Sequence, residues 1–482
     1  MKRRLLSALL ALYMSLTLLP GVAWASVDDG QVDLKPASEL RWIDRVELPD
    51  YALTLYKTLE EAADGDGYKD YLIEDEYYDL EGDNIRTDMP GEFMRGTVTS
   101  SDGSTTRYTA ILVTTTETKE TDQNTKEYIA NCIRTAVSAF KFDHQEVFWI
   151  KGVYRIEFNR NGRRYYGLAL CANRSKPDVE NASYYEIRRP GFRTDGQWDI
   201  RGAMAQRDAD VEKILGTIPA GADRFVQIYY LNKWLAANNQ YNTTVKKDGD
   251  GPWYAYECIS ALEGLDDADG PVCSGYASAF KVLCDKLGIP CVTVTGRVAK
   301  NTGHRWNYIQ MEDGKWYAVD VTYDDRNDNS ANLTKWLLVG SKTVVNRKEF
   351  LETHPVHNRS YYAGGTDFTN GPVLSDEAYP RSVHLAYWVL PETLTPGDPV
   401  AMTPVLIFAS DADYTYSSTP LPEGLTLNPD TGEITGTITD NAEMLLVTVT
   451  AADPTHPTDT ARCTLEFPLA SGLKNTDVAR SD

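Results

Sequence analysis

Cysteine is scarce in this sequence: seven of 482 residues, spread from Cys132 to Cys463. No two of them are separated by only two residues. The low number argues against a fold held together by disulfides. The missing Cys-x-x-Cys pairs argue against a structural zinc site. Because the count is odd, at least one thiol stays unpaired whatever the others do.

Positive charge is also in the minority. The chain has 48 Lys and Arg residues against 70 Asp and Glu residues, a formal net charge of -22 at pH 7. Nucleic-acid backbones are bound through clustered Lys and Arg side chains, so nucleic acid is not expected as a partner. The acidic balance also disfavours docking on anionic membranes, and it helps to keep a protein in solution.

Long apolar runs are limited to the N-terminus. Residues 5–19 follow three positive charges and lead into an Ala-Trp-Ala that ends at Ala25. The pattern is typical of a signal peptide, and about 15 apolar residues are too few for a spanning helix, which needs roughly 20. We therefore expect removal of residues 1–25, no transmembrane segment in the mature chain, and a secreted, extracellular or cell-surface location.

Composition and turn signals divide the rest of the chain. An acidic stretch comes first, and its function cannot be inferred from the sequence. After about residue 365, prolines indicate a linker, and short β-rich segments follow as in a sandwich domain. The predicted regions are a signal peptide (1–25), an N-terminal accessory region (26–125), a central α+β domain (126–365), a linker (366–380), a β-sandwich (381–470) and a disordered tail (471–482).

Hydrophobic periodicity predicts several elements within these regions. An Asn-Gly pair at 161–162 indicates a hairpin between two of the strands. The predicted helices are 50–63, 126–140, 208–215, 223–239 and one from 274 onward, and the predicted strands are 107–115, 153–159 and 164–170.

Cys273 lies in the stretch DADGPVCSGYASAF (267–280), at the start of the last of these helices. Free backbone N–H groups and the helix dipole favour a thiolate in a first helical turn. A buried structural role is the more frequent one for a cysteine, and it fits Cys284 and Cys291. Cys273 differs because a polar loop precedes it, which makes it a candidate nucleophile.

His304 and Asp320 lie on the two strands of a hairpin predicted around Asp313-Gly314. A two-residue turn would place the two side chains on opposite faces. A three-residue loop with Gly314 in the left-handed conformation pairs 311 with 315, so that Asp320 faces Trp306 and lies diagonal to His304 on the same face. We predict the three-residue loop. A thiol, an imidazole and a carboxylate together can perform nucleophilic catalysis.

Three motifs make residues from about 125 to 365 resemble the transglutaminase-like superfamily. They occur in the order PVCSGYASAFKVLCDKLGIPC (271–291), HRWN (304–307) and GKWYAVD (314–320). The resemblance implies a papain-like α+β fold, with a helix packed on an antiparallel sheet. Two features depart from the family pattern. Arg305 follows the histidine where a small residue is common, and the acidic loop before Cys273 is longer. The Arg305 side chain is expected on the opposite strand face from His304.

The resemblance also implies the chemistry. Cys273 would be the nucleophile, His304 the base and Asp320 the carboxylate that orients it. The implied reaction is peptide or amide hydrolysis, or protein-glutamine acyl transfer, through a thioester on a protein or peptide substrate. The alternative is a catalytically inactive binding or adhesion protein that keeps the fold.

Aromatic residues are the candidates for substrate contact. Tyr256 and Trp253 precede the cysteine and are weak candidates to complete an oxyanion hole with the Cys273 backbone N–H. Trp306 either forms a wall of the site or packs beneath it. His144 is expected to pack structurally.

No cofactor or metal is expected. The acidic run around Asp324 and Asp325 suggests calcium, which some transglutaminases use. An EF-hand beginning at Asp325 would require Gly and Glu where the chain has Ser330 and Trp336. His354 and His357 flank Pro355 and are not expected to share a helix face as a metal pair.

The stretch LPEGLTLNPDTGEITGTIT (421–439) resembles immunoglobulin-like modules of bacterial surface proteins. The predicted β-sandwich would bind cell-wall or surface polymer, or act as a spacer. Gly436 is expected where two backbones approach closely.

Overall fold

The structure is a computed structural model that describes most of the chain. The predicted signal peptide and the C-terminal tail lie outside the described residues. Those residues are 50–64, 92–99, 105–118, 132, 135–148, 150–160, 163–172, 200–243, 245, 253–264, 270–298, 301–325, 333–356, 372–388, 394–439, 446–456 and 459–467.

The described elements show an α+β chain. Residues 135–143 are also helical, and Trp253–Tyr256 form a 3-10 helix. The helices are α1 (Asp50–Asp64), α2 (Ile200–Leu215), α3 (Arg224–Asn238), α4 (Cys258–Leu262), α5 (Cys273–Lys286), α6 (Val321–Asp325) and α7 (Phe350–Thr353). The first strands are β1 (Glu92–Thr99), β2 (Thr105–Thr118), β3 (Ile150–Arg160), β4 (Arg163–Ala172), β5 (Cys291–Val298), β6 (Thr302–Gln310), β7 (Trp316–Val319), β8 (Val344–Val345) and β9 (Lys348–Glu349). The last strands are β10 (His384–Trp388), β11 (Pro399–Ile407), β12 (Thr415–Ser418), β13 (Leu425–Leu427), β14 (Ile434–Thr437), β15 (Leu446–Ala452) and β16 (Thr460–Glu466).

Most of the predicted elements are confirmed. The helices predicted over 50–63 and 223–239 are α1 and α3, which match to within a residue at each end. The helix predicted over 208–215 is only the second half of α2, which begins at Ile200. Among the helices that the structure describes, none has the length and apolar character needed to cross a membrane.

The first sheet is antiparallel, with the strand order β1-β2-β4-β3. Arg160 pairs with Arg163, so the Asn-Gly pair predicted to form a two-residue hairpin connects β3 and β4. The predicted strand 107–115 lies within β2. His144, in the segment before β3, stacks on Phe140 at 4.7 Å between ring centroids, the structural packing expected of it.

A second antiparallel sheet, β5-β6-β7, positions the candidate site. Its strands alternate, so each face has its own core. On one face, Ile309 and Tyr317 join the core that contains Phe280 of α5. On the other face, Trp306 packs with Phe350 and others in a separate core. The sheet is therefore covered on both sides, and α5 lies against the first face.

The β6–β7 hairpin has the predicted three-residue loop. The Met311 N–H donates to Lys315 O at 3.0 Å, and Gly314 has φ +74°. Gln310 pairs with Trp316, the register that places Asp320 across from Trp306. One detail differs from expectation: β7 ends at Val319, so Asp320 follows the strand instead of lying within it.

The C-terminal region is a β-sandwich of two sheets, β10-β11-β14-β13 and β12-β15-β16. Ile434 of one sheet and Val449 of the other are both completely buried in its core. The close approach expected at Gly436 is present, because a Cβ there would lie 2.0 Å from Gly424 O. This residue has φ +145°, which further favours glycine.

The sandwich packs directly on the central domain. Ala220 and Tyr387 form an antiparallel bridge. His384 stacks on Phe225 at 4.2 Å between centroids, and its Nδ1 lies 2.6 Å from Asp223 Oδ2, the residue that caps α3. Within the predicted linker, residues 372–380 run along the central domain. The C-terminal module is thus fixed against the domain that carries the site.

Candidate active site

Cys273 is the first residue of α5 and is half-buried. The helix begins close to the 3-10 helix Trp253–Tyr256, because the Val272 N–H donates to Ala255 O at 2.9 Å. Gly275 makes this approach possible: a Cβ there would lie 2.7 Å from Ala255 O. The His304 side chain and the backbone N–H of Arg305 both act on the sulfur and lower the pKa of the thiol, against the effect of burial.

His304 lies near the start of β6 and is 6% exposed. Its Nε2 is 2.7 Å from Oδ2 of Asp320. This bond leaves Nδ1 as the ring nitrogen that can meet the Cys273 sulfur. Two aromatic rings also pack against the imidazole. The distance between ring centroids is 5.0 Å for Tyr323 and 5.9 Å for Trp306.

Asp320 is completely buried, and both of its oxygens have partners. Oδ1 accepts the backbone N–H of Tyr323 at 3.2 Å, which caps the short helix α6. Oδ2 faces two imidazoles, with His304 Nε2 at 2.7 Å and His354 Nε2 at 3.1 Å. A buried carboxylate needs such partners to stay ionised.

Cys273, His304 and Asp320 each favour the charged form of a neighbouring group. Burial opposes the charged forms of all three, but the interactions outweigh it. The charge and hydrogen bond of Asp320 raise the pKa of His304 to about 10. His304 in turn holds the pKa of Asp320 well below its usual range. His304 also lowers the pKa of the Cys273 thiol, with a further contribution from Arg305. The arrangement favours a thiolate beside an imidazolium.

Comparisons with known proteins agree with this geometry. Residues 216–321 match the family model of the transglutaminase-like superfamily. This part of the chain is a transglutaminase-like domain. Residues 383–467 match the model described as "Putative Ig domain", which lies C-terminal to it.

No curated protein matches the chain. A solved structure titled "Crystal structure of a TGase" aligns over 55% of this chain and 59% of its own length, with 13% identity and a TM-score of 0.23. The chain therefore spans less than two thirds of that protein.

The aromatic candidates occupy different positions around the transglutaminase-like site. Trp306 is 1% exposed and lies beneath His304, so its ring packs under the site instead of facing substrate. Tyr256 is half-buried and close to the sulfur: burial and then the Cys273 charge raise the pKa of its hydroxyl. Trp253 begins the same 3-10 helix, and its side chain lies outside the described residues. Substrate contact by Tyr256 or Trp253 stays a prediction.

The charge of Arg305 acts on Cys273, although its strand position predicted little effect on the site. Alternation places its side chain on the opposite face from His304, as expected. That face borders the start of α5, so the Arg305 charge acts on Cys273 and also on Glu257. Burial raises the pKa of Glu257 to about 7, against the lowering effect of Lys141 and Arg305.

The carboxylates suggested for calcium are already used within the protein. Asp324 is completely buried and accepts from Asn232 Nδ2 and the Trp336 N–H, both at 2.9 Å. Asp325 accepts the Tyr276 hydroxyl at 2.6 Å. Residues 327–329 lie outside the described residues. The described part of this run therefore does not fit a calcium site.

Sequence reasoning missed His354. It was considered only beside His357, which lies outside the described residues. The structure places its ring against Asp320, and the ligand atoms of His304, Asp320 and His354 all lie within 4.8 Å of one another. This spacing could hold a metal ion, but the three groups already satisfy one another through hydrogen bonds. No periodicity or motif connects His354 to the site, so the sequence held no signal for it.

Proposed function

We propose that this protein is a thiol enzyme that attacks amide or peptide carbonyls through Cys273. The observation that carries the proposal is the 2.7 Å contact between His304 Nε2 and the buried Asp320, on an imidazole whose interaction with Cys273 lowers the pKa of the thiol. A nucleophile, a base and an orienting carboxylate in this order suit acyl transfer. The transglutaminase-like family match supports the same reaction class.

The proposed reaction has two steps. The Cys273 thiolate attacks the carbonyl carbon, and the backbone N–H of Cys273 at the helix start can stabilise the oxyanion. The C–N bond then breaks, His304 gives its proton to the departing ammonia or amine, and a thioester remains. In the second step His304 takes a proton from the incoming acceptor, which attacks the thioester and releases Cys273. Water gives hydrolysis and a lysine-like amine gives a crosslink.

We favour water as the acceptor, because nothing in the sequence indicates an amine-donor site. We also propose that the chain is exported and acts on a protein or peptide, with the Ig-like module attached to cell-surface polymer. Detection of a mature chain beginning at Ser26 outside the cytoplasm tests export. Sedimentation of the full chain with purified cell-wall polymer tests the module; a chain that stays in solution contradicts that attachment.

Alkylation by iodoacetamide tests whether the thiol is activated. We expect Cys273 to be labelled well below pH 8, whereas an ordinary thiol has a pKa of about 8.5. His304→Gln should return the labelling profile toward that of a free thiol such as N-acetylcysteine. A wild-type profile that coincides with N-acetylcysteine would favour the inactive binding protein.

Capture of the intermediate tests the chemistry. The wild-type protein is incubated with a peptide library, quenched in acid and analysed for an acyl group on Cys273. Cys273→Ser is the matched control, because it keeps the shape of the site and cannot form a thioester. An activated thiol that acquires no acyl group from any peptide would leave the proposed substrate class unsupported and count against it.

A further inference from the structure

His354 lies immediately after α7 and is 1% exposed. Its Nε2 is 3.1 Å from Oδ2 of Asp320, the same oxygen that His304 contacts at 2.7 Å. The carboxylate thus has one bond on Oδ1, from the Tyr323 N–H, and two on Oδ2. It cannot rotate without breaking at least one of the three.

The partner of Nε2 shows which nitrogen of His354 donates to the site. Nδ1 is 2.9 Å from the hydroxyl of Thr353, and that hydroxyl donates to Phe350 O at 2.9 Å. Nε2 faces Oδ2 of Asp320, and an ionised carboxylate oxygen can only accept a hydrogen bond. His354 therefore carries a hydrogen on Nε2 and donates it to Asp320.

Packing holds the ring in this orientation. It stacks on Phe350 at 4.4 Å between centroids and 10° between planes, and Trp306 meets it edge-on at 5.2 Å. The chain after it is fixed to β5, because the Arg297 N–H donates to Pro355 O at 3.0 Å. Gly296 makes room for this contact: a Cβ there would lie 2.4 Å from Pro355 O.

Gly296 also pairs with His304 across the sheet. Gly296, which lies opposite His304 on β5, therefore also makes room for the segment that carries His354. The two rings approach the same carboxylate oxygen from different chain segments, 16 and 34 residues away from Asp320.

We propose that His354 is a positioning residue that acts through Asp320, so that the site works as a chain of Cys273, His304, Asp320 and His354. Its hydrogen bond keeps the shared oxygen directed at His304, which in turn keeps Nδ1 directed at the sulfur. The inference rests on the proposed function, because it assigns His354 a part in activating the same thiol. His354 touches neither the sulfur nor substrate, and its effect is indirect.

The test compares iodoacetamide labelling of Cys273 in wild type, His354→Phe and His354→Gln. Phenylalanine keeps the stacked ring and removes the donor, whereas glutamine keeps an N–H donor. Misplacing a reacting group by about an ångström lowers a reaction rate on the order of 100-fold. Loss of one of the three hydrogen bonds to Asp320 should loosen the site only partly and lower the rate less. We expect His354→Phe to slow labelling at pH 6 by about tenfold. At pH 9.5, where an ordinary thiol is ionised, its labelling rate should stay within about twofold of wild type, because thiolate formation no longer depends on the imidazole.

The expected profile for His354→Gln is close to that of wild type, since the donor is retained. Equal thermal unfolding midpoints for the two variants would exclude loss of fold as the cause. If His354→Phe labels like wild type at pH 6, or if His354→Gln is slowed as much as His354→Phe, the inference is overturned. A wild-type Cys273 that behaves as an ordinary thiol would instead overturn the proposed function itself.

A second variant covers the case in which His354→Phe fails to fold. His354→Ala leaves a hole beside a cavity of about 400 Å³, which His354 lines together with Tyr323 and Trp336. Added imidazole should enter this space and restore labelling at pH 6. Rescue by imidazole but not by benzene would assign the effect to the hydrogen bond. Equal rescue by both compounds, or none by either, would assign it to packing and contradict the inference.

Discussion

Replacement of Asp320 by Asn is the sharpest perturbation of the site, because it removes one charge and keeps the shape. The backbone N–H of Tyr323 requires an acceptor at Oδ1, and that requirement persists in the variant. The Asn oxygen should therefore remain at this position. The amide NH2 then faces both His304 and His354, where the wild type has Oδ2.

This exchange reverses the hydrogen bond between residue 320 and His304. An NH2 group can only donate, so His304 Nε2 must accept, and the ring hydrogen moves to Nδ1. Nδ1 then points a hydrogen at the Cys273 sulfur and cannot take the thiol proton. The variant also loses the charge that raises the pKa of His304 to about 10. Both effects remove the reason for Cys273 to ionise at low pH.

The size of the effect can be bounded. A thiol with an ordinary pKa of about 8.5 is roughly 0.3% ionised at pH 6, so full loss of activation reduces the thiolate by at most about 300-fold. Thiolates of lower pKa are intrinsically less nucleophilic, which offsets roughly a factor of ten. We therefore expect Asp320→Asn to slow iodoacetamide labelling at pH 6 by about 10- to 100-fold.

The assay is the labelling rate between pH 5 and pH 10, with the thermal unfolding midpoint as a control for folding. The deficit of the variant should disappear as the pH rises toward 10, where both thiols are ionised and the variant, with the thiolate of higher pKa, should be labelled at least as fast as wild type. Labelling of Asp320→Asn at the wild-type rate at pH 6 would show that the carboxylate has no part in activating the thiol.

Two further predictions concern stability. The pKa of His304 rises from an ordinary value near 6.5 to about 10 on folding, so its ion pair with Asp320 stabilises fully below about pH 6.5 and is lost toward pH 10. The difference in unfolding free energy between wild type and His304→Gln should narrow over that range in urea titrations, and a constant or widening difference would contradict the assigned pair. Gly221→Ala should lower the free energy of unfolding more than Gly288→Ala. Both glycines have a left-handed backbone, at φ +72° and +67°, so both substitutions strain it. Only at Gly221 would the new Cβ also contact the C-terminal module, 2.9 Å from Leu465 Cδ2. Backbone strain alone is about 1–2 kcal/mol, so equal urea midpoints for the two variants would argue against the tight packing of module on domain.

Short-range patterns predicted much of the site. The three-residue loop depended on Gly314 and decided the face of Asp320, and both follow from residues adjacent in the chain. The start of α5 at Cys273 followed from the periodicity after it. These features are local, so a single sequence holds the information that sets them.

Features that depend on contacts between residues far apart in the sequence could not be predicted from sequence patterns. The burial of Trp306 depends on Phe350 and His354, which reach it from beyond β7. The influence of Arg305 on Cys273 depends on how closely the start of α5 approaches β6. Neither approach distance can be inferred from a pattern along one strand.

Residues near one another in the chain set the order of thiol, imidazole and carboxylate, the hairpin register that puts His304 and Asp320 on one face, and the two kinds of domain. The second imidazole, His354, reaches the buried oxygen of Asp320 only in the folded chain. The difference lies in the range of the interactions. Turn geometry and helical periodicity act over a few residues, whereas the His354 contact closes a separation of 34 residues and depends on Gly296 making room on another strand.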